Sequence, residues 1–332
     1  MISDLAGVIL FTPVVAYSVF GGADFGAGFW DLTAGGPGAG RRPRALIDRS
    51  IGPVWEANHV WLIFCLVVLW TSFPTAFAAI MTTLYIPLGL AALGIVLRGS
   101  GFAFRKVSVT LSTQRLAGIT FASSSVVTPF FLGAAVGGIA SGRVPAGGYG
   151  DSMSSWVNPT SILGGALAVV TCAYLAAVFL AAEARARRVP DLEAWFRRRA
   201  LAAAAVAGML AVAGIFILDH DAHRLYLHLL GPGLPLVVVS GLAGVATLVL
   251  LGRVAPRRLR AIAVVAVGAV VAGWGVAQYP YLLGVRLSLA EAAAPNATLW
   301  AIVIIFLAAV LLCLPSLALL YSLQQRGELE GD

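Results

Sequence analysis

The chain has 332 residues, 60% of them hydrophobic and only 11% charged, with a mean hydropathy of +0.92. A soluble domain carries about 25% charged residues, so the composition excludes a soluble enzyme and indicates a polytopic membrane protein, read as one integral domain over 1–332. The net charge of +7 does not indicate a nucleic-acid partner, because the basic residues fall in short connections between apolar runs.

Crossing the hydrocarbon takes about 20 apolar residues. Nine spans are predicted, at 4–30, 53–79, 80–98, 115–140, 159–184, 199–218, 229–251, 259–278 and 298–321. No charged loop separates the second from the third; Pro74 and Pro87 flank the region, and a tight turn is expected near Met81. With nine spans, 19 of the 22 basic residues fall on one side, in the groups Arg41–Arg49, Arg98–Arg115, Arg185–Arg199 and Arg253–Arg260 and at Arg326. Only Arg143, Arg224 and Arg286 fall on the other. The positive-inside rule then puts the N-terminus outside and the C-terminus in the cytoplasm. The N-terminus lacks a basic n-region and an A-x-A site before Gly21, so the first span is expected to be retained.

The first span ends Phe20-Gly-Gly-Ala-Asp24-Phe-Gly-Ala-Gly-Phe-Trp30-Asp31. Tyr17, Gly21, Asp24, Gly28 and Asp31 line up at helical spacing. Gly22, Gly26 and Gly28 allow a second helix to approach closely, which would enclose Asp24 in protein. Asp31, nearer the end, suits an acid that snorkels to water.

The second span opens Gly52-Pro-Val-Trp-Glu56-Ala-Asn58-His59-Val-Trp61. An ionisable group inside a membrane segment costs about 3 kcal/mol on insertion scales, so its default reading is functional. Pro53 suits a first helical turn. Glu56 and His59 share a face, whereas Asn58 lies roughly 160° away from Glu56. Topology sets Asp24 and Glu56 at similar depth, about one to two turns inside the cytoplasmic face. Two carboxyls and an imidazole there suit the entrance of a proton relay. The plainer account is a Glu–His hydrogen bond tying two helices.

Further along, Ser141–Asn158 is rich in Gly and Ser and is expected to be irregular, and Glu183–Arg199 reads as the start of an interfacial helix. The stretch Asp219-His220-Asp221-Ala-His223-Arg224-Leu-Tyr226-Leu-His228 gathers three histidines in a short polar loop. Haem ligation would instead want an intramembrane His facing a second ligand. Cys65, Cys172 and Cys313 sit in separate apolar runs without metal-ligand spacing. The chain is therefore expected to hold neither metal nor haem. Gln278, Tyr279 and Tyr281 fall in the outer aromatic belt, and Pro280 is expected to end a helix.

Four features together resemble subunit II of the cytochrome bd-type quinol oxidases. They are Gly22-Ala-Asp24-Phe-Gly26-Ala-Gly28, Pro53-Val-Trp-Glu-Ala-Asn-His-Val-Trp61, Asn158-Pro159, and Gln278-Tyr-Pro280 with the later Ala-Ala-Pro295. They run over essentially the whole chain. The Glu-Ala-Asn-His wording is closer to the cyanide-insensitive branch; other members carry Asp-Gly-Asn followed by Gln or Glu, so His59 stands where an amide or acid is usual. The resemblance implies an all-α, nine-helix subunit of the bacterial plasma membrane. Its expected partner is a homologous subunit I that holds two b-type haems and a d-type or third b-type haem, and oxidises quinol with oxygen as acceptor. For this chain it implies no haem and support of that partner. It also implies a cytoplasmic proton route through Glu56, with Asp24 and His59 nearby, and an oxygen route past Trp61. It leaves room for a structurally bound quinone and for small accessory subunits.

Three other readings compete. A proton-coupled secondary transporter could use Asp24, Glu56 and His59, but the paired broken helices of two related halves are not evident. A prenyltransferase-type enzyme lacks an Asp-rich metal motif, since Asp24 and Asp31 stand alone seven apart. A purely structural scaffold is the third.

Overall fold

The structure, a computed structural model, describes residues 1–36, 38–51, 55–107 and 110–326. Its elements are α1 (Ile2–Leu32), α2 (Arg41–Ile51), α3 (Trp55–Ser72), α4 (Pro74–Thr83), α5 (Tyr85–Val107) and α6 (Leu111–Ala140). They continue with α7 (Pro159–Ala186), α8 (Pro190–Asp221), α9 (His223–Leu230), α10 (Leu234–Leu250) and α11 (Pro256–Gln278). A small hairpin, β1 (Tyr281–Leu283) and β2 (Leu287–Ser288), then leads through α12 (Leu289–Ala292) to α13 (Asn296–Arg326).

Prolines set many of the starts. Pro74, Pro159, Pro190 and Pro256 each open a helix, where the fixed φ is already helical and no N–H is lost. At the start of α7 the Asn158 side chain completes the cap by accepting from the Ser161 N–H at 2.9 Å.

Seven helices among the described residues are long and apolar enough to cross a membrane. Two bent pairs, Asn58–Ser72 with Pro74–Thr83 at 119° and His223–Leu230 with Leu234–Leu250 at 72°, raise the number to nine if each is a broken span. The chain is a multi-pass membrane protein.

The second predicted span, 53–79, is not one straight helix. It breaks at Phe73, and the carbonyl freed at Ser72 accepts from the Ala294 N–H at 2.8 Å. The expected turn near Met81 falls at Leu84 instead, and α5, the third predicted span, runs to Val107 rather than ending at Arg98. The stretch 183–199, expected to start an interfacial helix, holds the last turn of α7, a short connection and the first ten residues of α8, which continues unbroken into the sixth span. The hairpin is an addition to the predicted all-α architecture, and α2 lies in the connection between the first two predicted spans. In α2, Leu46 and Ile47 are buried while Arg41 and Arg49 stay exposed.

α1 is the centre of the bundle and packs against α3, α6, α7, α11 and α13. Gly26 lies so close to α7 that a Cβ there would come within 1.8 Å of the Cys172 carbonyl oxygen, and one at Gly28 within 2.2 Å of Ser125 Oγ on α6. At Gly22 the nearest atoms would be Leu175 Cδ1 at 3.5 Å and Cys172 Sγ at 3.6 Å, an ordinary contact.

Asp221 joins three elements at the end of the bundle away from most arginines. It accepts from Arg143 at 2.5 and 3.0 Å, and from the Thr160 N–H at 3.1 Å and hydroxyl at 2.5 Å. It therefore serves as a second cap on α7. Arg224 donates to the Gly284 carbonyl at 2.9 Å and covers the Tyr281 ring at 4.4 Å, tying the hairpin to α9. In the capping box of α12, the N–H and hydroxyl of Ser288 hold the Glu291 carboxyl below its ordinary range. Asp221→Ala is expected to cost about 2 kcal/mol, since it strips a cap and the partner of Arg143. A lower unfolding temperature of the purified protein, with Asp219→Ala unchanged, checks this.

Candidate functional site

A buried polar centre lies where α1, α3, α5 and α6 meet. Asp24, on α1, is 7% exposed, and its carboxyl oxygen Oδ2 accepts from the Asn58 amide on α3. The same amide reaches the Phe20 carbonyl at 3.4 Å, so Asn58 pins α3 to the flank of α1 at two points. Asn58 itself is 3% exposed.

Arg98 of α5 enters the centre from the other side and is 1% exposed. Its Nη2 donates to the Asp24 main-chain carbonyl at 2.9 Å, and its Nε donates to Ser125 Oγ at 3.0 Å. Ser125 in turn donates to the Phe121 carbonyl at 2.7 Å. The guanidinium lies over the rings of Phe25 and Phe121, 5.0 and 4.9 Å from their centroids, a placement the ring quadrupoles favour. A lone charge at such a place would be strongly disfavoured; here a carboxylate and a guanidinium, each with hydrogen-bond partners, share one enclosed volume.

His59 extends the centre along α3. The Tyr17 hydroxyl and His59 Nδ1 are hydrogen-bonded at 3.2 Å, with the donor set by the imidazole tautomer. The His59 ring also packs against Tyr17 and Phe25, with centroids 5.9 and 6.1 Å away. Trp61, half-buried, stacks on Phe20 with centroids 6.5 Å apart. Glu56 belongs to the first turn of α3, but its side chain lies outside the described residues. So do Gly52, Pro53 and Val54 of the opening motif.

A second layer lies beneath the centre, at the arginine-rich end. Asp31 is 4% exposed and accepts from Arg44 at 2.7 Å and Arg105 at 2.5 Å, while Arg105 also reaches Asp48 at 3.3 Å. Asp31 is therefore an ion-paired strut between α1, α2 and α5, not a snorkelling acid.

The sequence reading missed Arg98, Asn58, Tyr17 and Ser125 as a set. By position Arg98 groups with the arginines of the connections. The signal against that was present: Gly99-Ser-Gly-Phe-Ala-Phe104 carries no charge, so the span does not stop at Arg98. Asn58 faces away from Glu56 on the helical wheel, and Asp24 lies on the side it faces. In the 219–228 stretch, His223 hydrogen-bonds Asp219 Oδ1 at 2.9 Å.

Comparison with known proteins gives one family. The profile described as cytochrome bd terminal oxidase subunit II matches residues 2–324. Subunit 2 of the Bacillus subtilis (strain 168) cytochrome bd ubiquinol oxidase is 27% identical over 171 residues, 51% of this chain and 50% of that one. Subunit 2 of the Escherichia coli (strain K12) cytochrome bd-I ubiquinol oxidase is 27% identical over 222 residues, 64% of this chain and 55% of that one. These matches span about half the length of the curated relatives. Among solved structures, the bd oxidase from Geobacillus thermodenitrificans has a chain that superposes with a TM-score of 0.81 at 26% identity, covering 97% of this chain and 98% of that one.

Proposed function

Because the chain belongs to the cytochrome bd terminal oxidase subunit II family, we propose that it is the haem-free subunit of a respiratory quinol:oxygen oxidoreductase. In this reading it forms a heterodimer with a haem-bearing subunit I in the bacterial plasma membrane. It crosses nine times, each bent helix pair serving as one span, with the N-terminus outside. The quinol and oxygen chemistry takes place on the partner's b-type and d-type haems. This chain supports the partner and supplies a cytoplasmic proton route.

The observation that carries the reading is the enclosed Asp24–Asn58–Arg98 centre. Asp24 stands eight residues before the end of α1, about 12 Å from the arginine-rich end by helical rise. A carboxyl there, with an amide on one side and a fixed cation on the other, can accept and release a proton without a second carboxylate beside it. His59 and Tyr17 offer an adjoining donor–acceptor pair. Glu56, one turn before His59, is the proposed cytoplasmic entry. The apolar stack of Trp61 on Phe20 supports an oxygen route along α3.

Asp24→Asn keeps the shape of the side chain and removes its proton chemistry. It is expected to lower quinol oxidase turnover by about tenfold or more while leaving the haem spectrum of the complex intact. Glu56→Gln should act in the same direction. Unchanged turnover and proton uptake in both variants would leave this chain a scaffold only.

A further inference from the structure

The ends of α7, α8 and α11 converge on a patch of one charge sign. Residues 183–199 and 252–260 hold ten arginines against three acids. The acids are largely taken. Glu183 is engaged by Arg187 at 2.8 Å and Arg260 at 2.5 Å, and Asp191 is paired with Arg42 of α2. The third, Glu193, flanks Gly252 together with Arg197, which brings the start of α8 against the turn between α10 and α11. Arg188, Arg197, Arg198, Arg253, Arg257 and Arg258 point outward, with no ion pair among the described residues.

Two donors under this surface lack acceptors. Arg185 Nη1 and Arg260 Nε are withdrawn from solvent with no hydrogen-bond partner among the described residues. Buried donors are nearly always met; these two are closed to a ligand, and they add uncompensated positive potential at the ends of α7 and α11 to that of the exposed arginines. The other arginine layer at this end contrasts with it, because there Arg44 and Arg105 close on Asp31.

The walls beside the patch are apolar. α8 and α10 touch only sparsely. Met209 and Phe216 on α8, and Leu242 and Val245 on α10, are exposed. At the arginine end, Leu192 and Phe196 of α8 and Leu251, just after α10, belong to one buried cluster. A ligand that satisfies both surfaces carries an anionic phosphate head at the patch and hydrocarbon chains along α8 and α10.

We propose that this patch is a binding site for an anionic phospholipid, held through its phosphate by Arg197, Arg253 and Arg257 and laid with its acyl chains against α8 and α10. Arginine suits the role because its planar fork matches phosphate oxygens. Basic pockets between helices at the cytoplasmic face are the recurring form of such sites. The positive-inside bias alone would scatter arginines; it does not ask for buried donors without acceptors.

The test uses the full complex purified from its native membrane and placed in nanodiscs of phosphatidylethanolamine with phosphatidylglycerol and cardiolipin. Lipids retained after release are counted by native mass spectrometry. Wild type is expected to hold anionic lipid selectively. The combined substitution Arg197→Gln, Arg253→Gln and Arg257→Gln should lower that retention by about tenfold or more. Two combined controls should retain it. One changes the same three positions to Lys, and the other removes equal charge at Arg41, Arg49 and Arg115. Equal retention of phosphatidylethanolamine, or unchanged retention in the Gln variant, would overturn the site. Displacement by millimolar inorganic phosphate would reassign it to the free anion. Anionic lipid appearing only after deletion of the acidic residues 327–332 would give the patch to that segment and overturn the proposal.

Discussion

Arg98→Gln should be the most damaging single substitution in the membrane-embedded part of this protein. The guanidinium is 1% exposed and ties the Asp24 carbonyl to Ser125 across three helices. Glutamine is shorter, carries no charge and cannot span both bonds. Asp24 would keep its amide from Asn58 and lose its counter-charge. Losing these two charge-assisted bonds, with a nearby opposite charge left less compensated, costs about 3 kcal/mol. The expected result is a sharp drop in the unfolding temperature of the purified protein. The double variant Arg98→Gln with Asp24→Asn should recover part of that loss, since both charges are then gone. A double variant no more stable than Arg98→Gln alone would show that the two residues are not coupled.

Gly26→Ala should come second. The added methyl would sit 1.8 Å from the Cys172 carbonyl oxygen and 2.8 Å from the Ala176 Cβ. The obstacle is main chain, so it cannot be relieved by a side-chain rotation; α1 and α7 must part. Overpacking of this kind costs about 1–3 kcal/mol and more where backbone has to move. It should also disturb the neighbouring Asp24 centre, because α1 carries both. Gly22→Ala, one turn earlier and facing atoms no nearer than 3.5 Å, should be close to neutral. Comparing detergent-solubilised yield and thermal stability of the two variants separates close packing from a general intolerance of α1.

Much of this architecture is written in local composition. Apolar runs of the right length, with arginines at one set of ends, set out nearly every helix. Pro159 marks the start of α7 as expected, whereas α8 and α11 begin at Pro190 and Pro256, ahead of the predicted starts at 199 and 259. Asp24 announced itself by its cost in a membrane segment. What escaped a linear reading depends on partners far away in the chain. Arg98 looks like a loop arginine until α1 and α6 supply an aspartate, a serine and two aromatic faces around it. The sharp break after Ser72 follows from Pro74 only in part; the Ala294 N–H that meets the freed carbonyl comes from beyond α12. The helical wheel turns Asn58 away from Glu56 but cannot show that Asp24 of the neighbouring helix waits on that side. Wherever a polar group in this protein needed a distant complement, its meaning lay outside its own segment.

The central place of α1 has a consequence for how the protein is made. α1 is synthesised before every helix that surrounds it, and its acid enters the membrane ahead of its complements. Asn58 follows Asp24 by 34 residues and Arg98 by 74. Until α5 has been threaded, the ribosome and insertion machinery hold a helix whose carboxyl has no cation to meet. Release of α1 into lipid is therefore expected to depend on the arrival of α5. Nascent chains stalled before and after Arg98 should differ in how firmly α1 stays at the translocon.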